Sequence, residues 1–156
     1  MGHLQLTGER LSVPATFQSF LANLPELLGA MLRDPRCLVA IAEFTYGRYV
    51  QFRVDGGLVI AEVVSNRFIV DFVDGDEARL SESDEAFLRE RGWNEPTLSD
   101  CPNWRWTSDD ASKLLLLAAM VREVVVRIFR ERPFEEMRFQ LWAFQEPAPN
   151  TSITAA

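Results

Sequence analysis

The chain has 156 residues, 47% hydrophobic and 25% charged, the composition of one globular domain with a core of its own. A formal net charge of −7 excludes long-range attraction to nucleic acid or to an anionic membrane, and no apolar run approaches bilayer-spanning length, so membrane insertion is excluded too. Two cysteines without metal-ligand spacing, and a start, MGHLQLTGER, without an apolar signal core, point to a cytoplasmic protein with free thiols.

Residues 1–13 read as a flexible N-terminus. From Thr16, a candidate N-cap, Phe17, Phe20, Leu21, Leu24, Leu28 and Met31 follow the rhythm of one buried helical stripe. Pro25 is expected to kink or split this helix, with Asn23 restarting the second part. Three strand-like runs come next. CLVAIAEFTYG is nearly all apolar, as a central strand is. YVQFRVD alternates, with Val50, Phe52 and Val54 on one face and Tyr49, Gln51 and Arg53 on the other. Asp55-Gly56-Gly57 signals a tight hairpin, and LVIAEVVSN returns antiparallel. Tyr46-Gly47-Arg48 can join the first two runs in the same way. RFIVDFVDGD is a candidate fourth strand.

SESDEAFLRERG has the marks of a short helix: a serine cap, acids in the first turn, arginines in the last, and Gly92 as the stop. The stretch GWNEPTLSDCPNW reads as a loop rich in tryptophan and proline. Ser108-Asp109-Asp110 then opens the longest helix, expected to run to about Arg132. EMRFQLWAFQ alternates again and is a candidate last strand or arm. The tail 146–156 reads as disordered, leaving 14–145 as a single domain. This order predicts an α+β fold: an antiparallel β-meander with an N-terminal helix, a short middle helix and a long C-terminal helix packed on one sheet face.

Catalytic chemistry finds little footing. His3 is the only histidine, so a nucleophile–histidine pair has no base, and no phosphate-loop, dinucleotide or zinc motif occurs. No catalytic residue, cofactor or metal is therefore assigned. Glu43, Glu62 and Asp71 interrupt apolar strands. Their convergence near the tryptophan loop is what an enzyme or small-ligand binder would require, and solvated positions or arginine pairing are the plainer reading.

Several pieces, in order, carry a family resemblance: Tyr49-Val50-Gln51-Phe52, Ala61-Glu62-Val63-Val64-Ser65-Asn66, Gly92-Trp93 with Pro96, and Pro102-Asn103-Trp104. Over roughly Thr16 to Arg132 the chain resembles the actinobacterial TY-Chap domain, which is related to the YbjN family and to type III secretion chaperones. The resemblance implies a small acidic α+β protein with a three-to-five-stranded antiparallel sheet flanked by helices. It also implies a dimer that holds an unfolded segment of a client protein, or a regulatory dimer without a client. Arg67 to Ala78 and MRFQLWAF exceed the pattern.

The leading expectation is thus a noncatalytic, chaperone-like or adaptor-like protein-binding module. Tyr49 and Arg53 share a strand face about 13 Å apart and are expected to contact the partner, with Trp104 or Trp106 at the rim. The tryptophan loop itself is expected to be structural first, with Trp93 and Trp104 anchoring its ends. The last helix carries more apolar surface than one sheet face needs, so Leu116, Met120 and Val124 are expected at a homodimer interface.

Overall fold

A computed structural model describes residues 16–66, 68, 79–97, 101–132 and 137–144. The expected flexible start 1–13, the tail 146–156 and the candidate strand at 67–76, Phe68 aside, lie outside the described residues. Helix α1, Phe17–Arg33, begins at a capping box: the Thr16 hydroxyl accepts from the Ser19 amide, and the Ser19 hydroxyl answers the Thr16 backbone. Pro25 neither splits nor restarts it; the helix runs through as one element. The lost Pro25 N–H is one ladder bond, and burial of Phe17, Phe20, Leu24, Leu27, Leu28 and Met31, each contributing about 1.5–3 kcal/mol, outweighs it.

Strands β1 (Cys37–Glu43), β2 (Tyr49–Asp55) and β3 (Leu58–Val63) form the expected meander. Gly56 and Gly57 both take positive φ (57° and 87°), as the two-residue turn between paired Asp55 and Leu58 requires. Strand β5, Arg138–Phe144, pairs with β1, which makes β1 a central strand. The sheet order is β4-β3-β2-β1-β5, all antiparallel.

Strand β4, Trp104–Ser108, corrects the sequence reading, which left these residues in a loop. WRWTS is short and follows a proline, so its own pattern is weak. Pairing with β3, Trp104 opposite Val63 and Trp106 opposite Ala61, creates the strand. On its other side Asn94 and Arg105 exchange two backbone hydrogen bonds (2.8 and 3.1 Å).

Helix α2, Glu82–Glu90, starts at a Ser81/Asp84 capping box and ends in a Schellman turn. Gly92 takes φ 93°, its N–H reaches Arg89 O, and the Trp93 N–H reaches Leu88 O. That turn folds the Trp93 ring back onto the core beside Leu88, both buried. The far end of the loop is anchored by Trp104, 1% exposed. The aromatic density of the loop therefore serves first to tie it down.

The last helix is shorter than expected. A 3₁₀ turn (Ala111–Lys113) capped by Asp110 leads into α3, Leu114–Glu123, and then a π turn, Val124–Ile128. The helical course stops before Arg130, which takes φ 54°, and Glu131 turns inward instead of continuing to Arg132. The reason is a polar latch. The Glu131 carboxylate accepts from the Thr45 amide (3.0 Å), the Thr45 hydroxyl (2.5 Å) and Arg48 Nη2 (3.1 Å). Both charged side chains are nearly sealed from solvent, at 6% and 3% exposure. The Arg48 guanidinium also lies over the Phe129 ring at 5.0 Å. Its pKa is pushed down by burial, a shift that the adjoining Glu131 opposes.

All three helices pack on one sheet face. The Phe20 ring meets Phe44, Phe52 and Phe139 at 6.1, 6.3 and 6.3 Å, so α1 lies across β2, β1 and β5. Leu88 of α2 and Leu117, Val121 and Val124 of the last helical segment join the same cluster as Val50, Val54, Ala61 and Val63.

Candidate partner-binding surface

The strand alternation that fills the core leaves a second sheet face. Its residues follow from register. One row runs Trp142, Val39, Arg53, Ile60 and Thr107 across β5 to β4. The next runs Gln140, Ile41, Gln51, Glu62 and Arg105. None of the apolar members Val39, Ile41, Ile60 and Trp142 belongs to the helix-covered cluster. Among the described residues no helix packs on this face. It carries an apolar strip, two residues deep, in which Val39 is buried (7% exposed) and Ile41, Ile60 and Trp142 are half-buried, edged by guanidinium and carboxylate groups.

Tyr49 and Arg53 both stand here, on β2, as the alternation predicted. Arg53 reaches Asp55 at 3.7 Å, an exposed pairing of small energetic weight. Tyr49 is fixed by a polar corner that spacing did not reveal. The Asn103 amide donates to Tyr49 Oη (2.9 Å) and to Glu62 Oε1 (3.3 Å), while its oxygen accepts from the Ser65 amide (3.1 Å). The Ser65 hydroxyl donates to Pro102 O (2.6 Å), and the Cys101 thiol donates to Glu62 Oε1 (3.4 Å). The pieces YVQF, AEVVSN and PNW, separate in sequence, are thus hydrogen-bonded to one another at one place. Burial pushes both the Tyr49 phenol and the Cys101 thiol above their ordinary ranges, and Glu62 adds to each shift. Cys101 is a protonated structural donor there, not a thiolate nucleophile.

The tryptophans fall elsewhere. Trp104 and Trp106 are in register with Val63 and Ala61, on the helix-covered face. Trp104 is a core residue under the Arg89 guanidinium (5.6 Å), and Trp106 is half-buried against the same core. The structure does not bring them together with Tyr49 and Arg53. The tryptophan that does share that face is Trp142, paired with Val39. Asn103 was missed as a site residue, because the demand for a buried amide arises only when three loops meet.

Of the expected dimer residues, Met120 (5% exposed) and Val124 (0%) are inside the protomer's own core. Leu116 stays exposed, with Leu115 and Val126, on the outer side of the last helical segment. The phase of the apolar pattern around Leu114–Leu117 was too continuous to show which side faces inward. Of the carboxylates, Glu43 and Glu62 share the second face, but β2 lies between their strands and their partners Tyr49 and Gln51 are two residues apart, which puts them about 12 Å apart. Glu62 is held by Asn103, Cys101 and, at 3.9 Å, Arg105. Asp71 lies outside the described residues. Glu43 and Glu62 do not form a close acid–base pair. Among the described residues no group of three His, Cys, Asp or Glu gathers, and no helix is long and apolar enough to cross a membrane.

A five-stranded antiparallel sheet with helices packed on one face defines an α+β protein of the chaperone-like class. Residues 12–148 match the family model TY-Chap3, described as "T3SS (YopN, CesT) and YbjN peptide-binding chaperone 3", and the chain belongs to that family. No curated protein and no solved structure matches the chain.

Proposed function

We propose that the protein is a noncatalytic peptide-binding chaperone or adaptor that holds an extended segment of a client protein on its open sheet face. The observation that supports this most is the strip of half-buried Ile41, Ile60 and Trp142 around buried Val39, with Tyr49 and Arg53 on the same face. An extended client can lay alternate apolar side chains on the strip and direct a carboxylate or carbonyl to Arg53. The Tyr49 ring, oriented by Asn103, supplies rigid contact area at little entropic cost. The described cysteines, Cys37 and Cys101, are unpaired, which agrees with a cytoplasmic site of action.

The test begins with affinity purification from native cells and identification of the bound protein. A double substitution, Tyr49→Ala with Arg53→Ala, is then titrated with that client. The double variant is first checked by thermal melting, because Tyr49 packs on the core and accepts from Asn103, and once folded it is expected to bind about tenfold or more weakly, the loss of two interface anchors. Unchanged affinity in a folded variant would remove this face as the site.

We further propose a homodimer that uses the outer side of the last helical segment. Leu115 is 72% exposed and Leu116 beside it 53%, with Val126, 45% exposed, about three turns further along the same segment, and such exposed apolar side chains suit a partner. Leu115→Glu with Leu116→Glu is expected to convert a dimer to a folded monomer in light scattering. A parent protein that is monomeric at high micromolar concentration would dismiss the dimer.

A further inference from the structure

Beside the Arg48–Glu131 latch the molecule has an open cleft of about 930 Å³ between the β1–β2 loop and the segment after the π turn. Its floor is the buried ion pair, in which the two charges cancel. Its rim carries Arg130 and Arg132, both exposed, and neither makes an ion pair with any described residue. Tyr46, 43% exposed, overhangs it with the Arg48 guanidinium 5.5 Å from its ring centre. The cleft is therefore a cationic spot with an aromatic wall on a chain whose net charge is −7.

The backbone singles out the same place. Among the described residues only two non-glycine residues take positive φ, Tyr46 at 62° and Arg130 at 54°, and both line this cleft. Glycine or asparagine holds such a conformation with less strain. A tyrosine and an arginine that keep it put an aromatic ring and a guanidinium at the mouth of one hollow. Strain concentrated at a concave, charged site is what ligand-binding loops show.

We propose that this cleft binds an acidic polypeptide segment, with Arg130 and Arg132 gripping carboxylates and Tyr46 packing on an apolar or aromatic side chain between them. Arginine suits the task because its planar fork pairs bidentately with carboxylates. The hollow is far larger than an inorganic anion fills, and the acidic chain as a whole repels nucleic acid. The site is separate from the sheet face and stands whether or not that face holds a client.

The probe is a fluorescein-labelled peptide of alternating glutamate and phenylalanine, followed by anisotropy on the full chain at low and at physiological salt. Binding that weakens as salt rises is expected. Arg130→Ser with Arg132→Ser is expected to lower affinity at least about tenfold, since two charged hydrogen-bond partners are lost. The sheet-face variant Tyr49→Ala/Arg53→Ala is expected to bind the probe as the parent does, which separates this site from that one. Tyr46→Gly is expected to melt no lower than the parent, because the backbone strain is relieved, and yet to bind more weakly. The proposal is overturned by absence of binding at low salt, or by unchanged affinity in the arginine double variant. It is equally overturned if inorganic phosphate or a single-stranded oligonucleotide displaces the probe as well as unlabelled peptide does. A Tyr46→Gly variant that melts lower and binds as the parent does would remove the tyrosine from the site.

Discussion

Glu131→Ala is expected to destabilise the fold by about 3–5 kcal/mol, the cost of leaving a buried guanidinium without its counter-charge. Three donors converge on Glu131 Oε1: the Thr45 amide, the Thr45 hydroxyl and Arg48 Nη2. Truncation removes the acceptor of the Thr45 amide and leaves Arg48, only 6% exposed, with the neutral oxygens of Thr45 (3.0 and 3.1 Å) but no counter-charge. The pair itself need not add net stability, because desolvation of both charges offsets their attraction. Replacing both partners with apolar residues, Arg48→Met with Glu131→Leu, is thus expected to recover most of the loss. Urea denaturation of the two single variants and the double variant gives the coupling energy directly. A Glu131→Ala cost below about 1 kcal/mol, the range of an exposed pair, would show that the latch is not desolvated in solution.

Trp104→Ala is expected to cost about 3–5 kcal/mol, and Trp93→Ala a similar amount, as truncation of large core aromatics does. Their exposures are 1% and 3%, and both belong to the core cluster. Each removes an anchor at one end of the same loop, and Asn94 pairs with Arg105 between them, so the two effects are not expected to add. Trp104→Phe separates shape from polarity. The Trp104 indole N–H is buried with no hydrogen-bond partner among the described residues, so phenylalanine keeps much of the ring burial and removes an unsatisfied donor. It is expected to cost much less than alanine. If Trp104→Ala melts like the parent but no longer holds a client, the tryptophan is a binding residue and its burial in the core is wrong.

A stability loss of that size is a large share of what a domain of this length has, about 5–15 kcal/mol. Client-binding assays on tryptophan-loop variants therefore need a folding control. Arg53 is a safer probe of function than Tyr49, which packs against the core cluster and accepts the Asn103 hydrogen bond, so a Tyr49 variant needs the same control.

Local physics made much of the fold legible in the sequence. The alternation in YVQFRVD assigned Val50, Phe52 and Val54 to one face, because successive side chains of a strand must point opposite ways. Gly56-Gly57 set the hairpin, since each position demands positive φ. Thr16, Ser81 and Gly92 marked helix ends by the backbone groups they satisfy or the conformation they allow. None of these signals says what a face will meet. The same alternation that placed Tyr49 and Arg53 together put Trp104 and Trp106 on the opposite side, once β4 had paired with β3 in its register. The apolar surplus of the last helix was visible, but only packing against α1 and the sheet showed that Met120 and Val124 point inward and Leu115 and Leu116 outward. Beyond the end of that helix Glu131 is bonded to Arg48, 83 residues away in the chain, a partner that spacing along the sequence does not announce. Asn103 gained its role in the same way, when Tyr49, Glu62 and Ser65 arrived around it. Buried polar groups must be satisfied by whatever the fold brings near, and that requirement exists only in three dimensions.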